Sequence, residues 1–193
     1  LFLNAGRGAT AVSGDLAELA RERPDLTIAL DVFDPEPSVP VGLAKAARWI
    51  SPHVAGYSLE GKLEGTRMVR RALGEFLGLA DWHLPASPTR ALDAQALRLP
   101  DGTDVSRRSD PWDALCALVV AAWNPSDDDQ GMRPILDLAD HERGQAFDRL
   151  RKEYPTRLEW RHRPVSAPDH LPEATWEIAR RLGFVALRTD ESA

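Results

Sequence analysis

Residues 28–62, IALDVFDPEPSVPVGLAKAARWISPHVAGYSLEGK, decide how this chain is read. They contain two short apolar runs, 28–33 and 49–54, and each breaks into a turn at its C-terminal end. The first run delivers Asp31 and, past Pro35, Glu36; the second delivers His53, then Gly56 and Tyr57. Between them, residues 34–40 carry three prolines, which remove backbone donors and break helix or strand, so a loop is expected there. Residues 43–48 then read as a short helix. Strand, helix, strand is the crossover unit of a parallel sheet, and such sheets gather their functional groups at the strand C-termini.

The same pattern extends upstream. Residues 1–4 read as a buried strand ending at Ala5-Gly6-Arg7-Gly8, and Ser13 is placed to cap a helix whose Leu16, Leu19 and Ala20 share one face until Pro24. Residues 27–33 and 49–54 complete a three-stranded parallel sheet in which the middle strand is apolar enough to be covered on both faces. From Ser58 the period changes to steps of three and four through Leu59, Leu63, Val69, Leu73, Phe76 and Leu77, predicting one long amphipathic helix that stops near Gly78. Residues 81–111 are rich in Pro, Asp and Ser without periodicity and mark a domain boundary. Beyond it, helices are expected over 112–123, 145–154 and 173–182, short strands over 157–161 and 184–188, and a solvated loop over 124–131 around Asp127-Asp128-Asp129. The expected organisation is therefore an α/β half-domain over 1–57, a crossing helix over 58–80, and a small α+β domain with its leading linker over 81–193.

Composition narrows the function. The net charge of −6 argues against general nucleic-acid affinity, so an anionic ligand must be met by a few local cations. No apolar run approaches the roughly 20 residues of a membrane-spanning helix, and the single cysteine, Cys116, excludes an intrachain disulfide. Cys116 lies among Ala, Leu and Val and reads as a packing residue. His83, His141, His162 and His170 lack metal-ligand spacing, so no metal is expected. The chain opens on Leu1-Phe2-Leu3 rather than a polar lead-in, which suggests the downstream part of a longer protein.

Two constellations carry chemistry. Gly6-x-Gly8-x-x-Ala11 follows a strand and opens a helix, as a dinucleotide fingerprint does, but Ala11 stands for the third glycine and Arg7 sits inside the turn. A plain strand-to-helix turn reads the same residues equally simply. Arg7 fits another task, because a planar guanidinium at a strand end can grip a carboxylate through two hydrogen bonds; a surface arginine is the alternative. Glu36, stiffened between Pro35 and Pro37, and His53, followed by small residues, could form an acid–base pair in which the carboxylate fixes the imidazole tautomer. They read equally as a solvated loop acid and a satisfied histidine.

The blocks Leu3-Asn4-Ala5-Gly6-Arg7-Gly8, Leu30-Asp31-Val32-Phe33-Asp34-Pro35-Glu36-Pro37 and Ser51-Pro52-His53-Val54-Ala55-Gly56 resemble, in order and spacing, the later signature blocks of the D-isomer-specific 2-hydroxyacid dehydrogenases. The continuation Tyr57-Ser58-Leu59-Glu60-Gly61-Lys62 is similar to a narrower branch, one with a C-terminal dimerisation domain and a small phosphorylated hydroxy-acid substrate. The resemblance implies a partial Rossmann-type domain and a cytoplasmic, NAD-dependent homodimer that engages neither nucleic acid nor membrane. It implies that Arg7 orients the substrate carboxylate, that His53 takes the hydroxyl proton, and that Glu36 holds His53. Ala5, Gly6, Arg7, Asp31 and Gly56 would line the cofactor site, and Tyr57 would touch substrate. On this reading the 6–11 glycine pattern is not the pyrophosphate loop, which belongs upstream, and the isolated chain is expected to bind NAD weakly. Val12 departs from the acid usual at the start of that helix. A phosphoglycerate or glyoxylate/hydroxypyruvate enzyme is the nearest alternative, and a corepressor-like NAD-binding module is the alternative of another class.

Overall fold

The computed structural model describes residues 1–79, 110–160, 164–165 and 171–186. In chain order the elements are β1 (Phe2–Asn4), α1 (Ser13–Glu22), β2 (Ile28–Leu30), α2 (Val41–Ala46), β3 (Trp49–Ile50), α3 (Leu59–Leu77), α4 (Pro111–Ala122), α5 (Pro125–Met132), α6 (Asp140–Lys152) and α7 (Glu173–Arg181). Short 3-10 turns occupy Gly8–Thr10 and Arg133–Asp137. These elements form two compact units: Leu1–Gly56 with Pro125–Pro155, and Tyr57–Asn124 with Thr156–Ala193. Packing thus groups residues 125–155 with the sheet, whereas the division read from the sequence follows chain order.

The first unit is the expected α/β arrangement. Its sheet is parallel, ordered β1-β2-β3, with Phe2 opposite Ile28 and Ala29 opposite Trp49. The strands are shorter than the apolar runs that announce them. Val32, Phe33 and Val54 lie beyond the ladder yet are buried, so run length reports burial and not strand pairing. One core joins Leu16, Ile28, Leu30, Phe33, Val39, Leu43 and Ile50 to Met132, Ile135, Leu136 and Phe147.

Two local expectations are corrected here. Ser13 does not cap α1: the cap position is Val12, which offers no side-chain acceptor, and the Ser13 hydroxyl instead donates to the Asp34 carbonyl at 2.7 Å. Residues 125–131, expected as a solvated loop, belong to α5. Asp127 and Asp128 sit in its first turn, where carboxylates complement the positive end of the helix dipole, and acidic composition had hidden the helix. Asp129 pairs with Arg133 one turn on at 2.7 Å and accepts the Ile50 N–H at 2.9 Å, a donor that β2 does not take. Arg133 also donates to the carbonyls of Ala44 and Ala47 at 3.0 and 2.9 Å, satisfying the open C-terminal end of α2. One ion pair therefore closes both an edge strand and a helix end.

In the second unit, Ser58 caps α3 by accepting the Gly61 N–H at 3.0 Å, and Gly78 ends it with φ 68°, the left-handed conformation glycine adopts at no steric penalty. Asp110 caps α4 ahead of Pro111. Leu115, Leu118 and Ala122 of α4 pack with Ala179, Val165, Leu171 and Phe184, and Trp160 stacks on Phe184 at 4.7 Å. Cys116 is exposed, correcting the packing reading, because its neighbours Ala114, Leu115 and Leu118 occupy the inner face of the helix. Of the expected strand over 157–161, residues 157–160 are described and contribute a parallel bridge between Ser58 and Arg157, while residue 161 lies outside the described residues; Val165 and Ala186 make another bridge. Residues 187–188 of the last expected strand, and the linker up to residue 109, lie outside the described residues. Among the described residues, no helix is long and apolar enough to cross a membrane.

Candidate active site

The turns after β1 and β3 are each held by one buried polar side chain. At β1 this is Asn4, whose side-chain NH2 donates to the Arg7 carbonyl and to the Thr10 hydroxyl, both at 3.1 Å, while its oxygen accepts the Gly6 N–H at 3.1 Å. The Thr10 hydroxyl donates to the Arg7 carbonyl at 2.7 Å. The backbone of Arg7 is thereby pinned while its guanidinium stays exposed, with one donor on the Gly6 carbonyl at 2.7 Å. Asn4 was absent from the sequence-based candidates, although asparagine ahead of a glycine turn signals a side chain that replaces a backbone partner.

Just past β2, Asp31 is 5% exposed and both its oxygens are taken by the turn after β3. Oδ1 accepts the Ser51 hydroxyl at 2.6 Å and the Val54 N–H at 2.7 Å, and Oδ2 accepts the Ala55 N–H at 3.0 Å. These bonds bracket His53, whose φ of 57° is unusual for a residue with a side chain and persists only where the surroundings over-determine it. His53 Nδ1 lies 2.7 Å from Glu36 Oε2, and Glu36 Oε1 accepts the Phe33 N–H at 2.8 Å. Both side chains are mostly enclosed, 25% exposed for His53 and 20% for Glu36. A carboxylate at that distance takes an N–H from Nδ1, leaving Nε2 as the nitrogen that can exchange a proton with a ligand. Glu36 and His53 are thus bonded to each other rather than held apart, whatever part the pair plays.

Gly8 has a packing role. A Cβ built there would lie 1.9 Å from the Phe33 carbonyl oxygen and 2.2 Å from its carbon, so only glycine lets the β1 turn close against the start of the Glu36 loop. Within the 6–11 pattern, the glycine at 8 thus serves a contact between two turns of the protein itself. Ala5, Gly6 and Gly56 are exposed, and a Cβ at Gly56 would meet nothing within 4 Å. Tyr57 belongs to the second unit, where the Lys62 ammonium lies 3.9 Å from its ring centroid. His141 is described and exposed, whereas His83, His162 and His170 lie outside the described residues. Among the described residues no cluster could hold a metal ion.

A family model described as a domain of unknown function (DUF3410) matches residues 101–188. The chain is 40% identical to the erythronate-4-phosphate dehydrogenase of Stutzerimonas stutzeri over 160 residues, 82% of this chain and 40% of that protein. It is 36% identical to those of Pseudomonas fluorescens and Pseudomonas putida over 188 and 189 residues, which are 96% and 95% of this chain and 47% of each relative. Across nearly its whole length the chain is similar to the erythronate-4-phosphate dehydrogenases of the two Pseudomonas species, and it spans less than half the length of each.

Proposed function

We propose that this chain carries the acid–base half of an NAD-dependent dehydrogenase that oxidises 4-phospho-D-erythronate at C2 to the 2-oxo acid, a step of vitamin B6 biosynthesis. The observation that carries the reading is the 2.7 Å bond between Glu36 and His53 at the strand ends of a parallel sheet. The similarity to erythronate-4-phosphate dehydrogenases supports it.

In this mechanism Arg7 grips the substrate carboxylate through its exposed guanidinium. His53 Nε2 accepts the C2 hydroxyl proton as the carbon–oxygen double bond forms. Glu36 stabilises the resulting imidazolium and keeps the ring aimed. Bound NAD supplies the acceptor for the C2 hydride. The small exposed residues Ala5, Gly6 and Gly56, together with Arg7, suit a flat ring laid against the strand ends. Asp31 serves that surface chiefly by building it, since its oxygens are committed to the turn at 51–55. The residues 81–193 are assigned to homodimerisation, in the cytoplasm.

The test is turnover of 4-phospho-D-erythronate by full-length protein, compared with His53→Ala. Loss of general-base catalysis lowers kcat about 10²- to 10⁴-fold. Unchanged turnover in His53→Ala, or a preference for a non-phosphorylated hydroxy acid, would overturn the proposal.

A further inference from the structure

The loop that carries Glu36 is held from outside the sheet. Helix α6 reaches it on both sides of the carboxylate. Before Glu36, Phe33 meets the fully buried Phe147 edge-on, with ring centroids 6.3 Å apart and planes at 81°. After Glu36, Pro37 lies against the buried Gly144, where an added Cβ would stand 3.4 Å from Pro37 Cγ, 3.7 Å from its Cβ and 3.8 Å from its carbonyl oxygen. Farther along, Arg143 Nη1 donates to the Val39 carbonyl at 3.4 Å, and the Ser38 hydroxyl to Asp140 at 3.5 Å.

Phe33 is more than a neighbour of Glu36, because its own N–H donates to Glu36 Oε1. The position of Phe33 therefore sets the carboxylate, and the carboxylate sets His53 Nδ1 at 2.7 Å. The face of α6 is matched to this task. A Cβ at 144 would already touch Pro37 at contact distance, so the carbons of a branched side chain beyond it have no room, and the ring of Phe147 fills the space behind Phe33.

We infer that α6, which lies within the region matched by the domain of unknown function, braces the Glu36 loop, with Gly144 and Phe147 as positioning residues for the Glu36–His53 pair. The inference rests on the proposed catalytic role of that pair. It gives part of the 101–188 region a task inside the site-bearing unit, apart from any role in dimerisation.

The experiment is a double-mutant cycle in full-length enzyme. Gly144→Val drives side-chain carbons into Pro37 and shifts the loop. Because a misplacement of about 1 Å costs about 10²-fold in rate, kcat falls about 10- to 100-fold while KM for the hydroxy acid stays within about threefold. In a Glu36→Gln background the same substitution lowers kcat by less than about threefold further, because the path it acts through is already broken. Gly144→Ala, at ordinary contact distance, stays close to wild type. Phe147→Leu, a milder change, runs the same cycle should the valine variant not fold. An equal fractional loss in both backgrounds would overturn the inference, as would full kcat in folded Gly144→Val. An inactive wild type refutes the catalytic reading alone. The brace is then judged by the NMR signal of the His53 Nδ1 proton, present in wild type and lost in Gly144→Val if it stands, unchanged if it fails.

Discussion

Removing the Asp31 carboxylate tests the architecture of the site most directly. In Asp31→Ala three donors lose their acceptor: the Ser51 hydroxyl and the N–H groups of Val54 and Ala55. The hydroxyl can rotate to another partner. The Val54 N–H is buried away from water, whereas Ala55 is exposed, so water can reach its amide. At about 1–3 kcal/mol for each stranded donor, with water relieving part of the second, the loss is about 2–4 kcal/mol. That is a large share of the ~5–15 kcal/mol that holds a typical domain together. Asp31→Asn keeps one oxygen for Ser51 and Val54 and turns an NH2 toward the Ala55 N–H, so it should lose about half as much. Urea denaturation of the purified chain measures the total. Amide exchange at Val54 and Ala55 locates it. If Asp31→Ala stays within about 0.5 kcal/mol of the parent, or if those two amides keep their protection, the carboxylate does not build the turn and the reasoning is wrong.

Three further outcomes follow from the same geometry. In the full-length enzyme, Glu36→Gln cannot satisfy both neighbours, because its NH2 must face either the Phe33 N–H or the Nδ1 proton of His53; kcat should fall about 10²- to 10⁴-fold with folding retained, measured by steady-state kinetics and circular dichroism. Gly8→Ala places a methyl 1.9 Å from the Phe33 carbonyl oxygen, and the strain of forcing two turns apart should lower stability by about 1–3 kcal/mol or more in thermal melts; an unchanged melting point would show that the turns are not in contact. Arg133→Met leaves Asp129 without its cation and the α2 carbonyls without their donor, for an expected loss of about 2–4 kcal/mol in denaturant titration, and a loss below about 0.5 kcal/mol would remove Arg133 from its closing role.

Much of the site was legible because its elements are local. Residues 28–33 and 49–54 announce themselves as apolar runs ended by turn residues, and the prolines around Glu36 force a loop whatever the rest of the chain does. The long helix from Ser58 to Gly78 was equally plain, since a side-chain cap, a helical apolar period and a terminal glycine are all written in consecutive residues. The failures share one physical cause. Ser13 looks like a cap until its hydroxyl is found on Asp34, and 125–131 looks like a loop until Asp129 meets the Ile50 N–H and Arg133 the carbonyls of Ala44 and Ala47. In both cases a residue distant in sequence decides the outcome.

What the sequence determined alone is the parallel α/β class, the order of the sheet elements, and the candidacy of Arg7, Glu36 and His53 at its strand ends. Tertiary structure decided the rest: that Glu36 and His53 are bonded, that Asn4 and Asp31 hold the turns presenting Arg7 and His53, and that α5 and α6 pack with the sheet. Periodicity and turn chemistry are properties of neighbouring residues, so they can be read along the chain. A hydrogen bond across 17 residues, or a glycine emptied to admit a proline 107 positions away, depends on which surfaces meet, and that is settled only when the whole core closes.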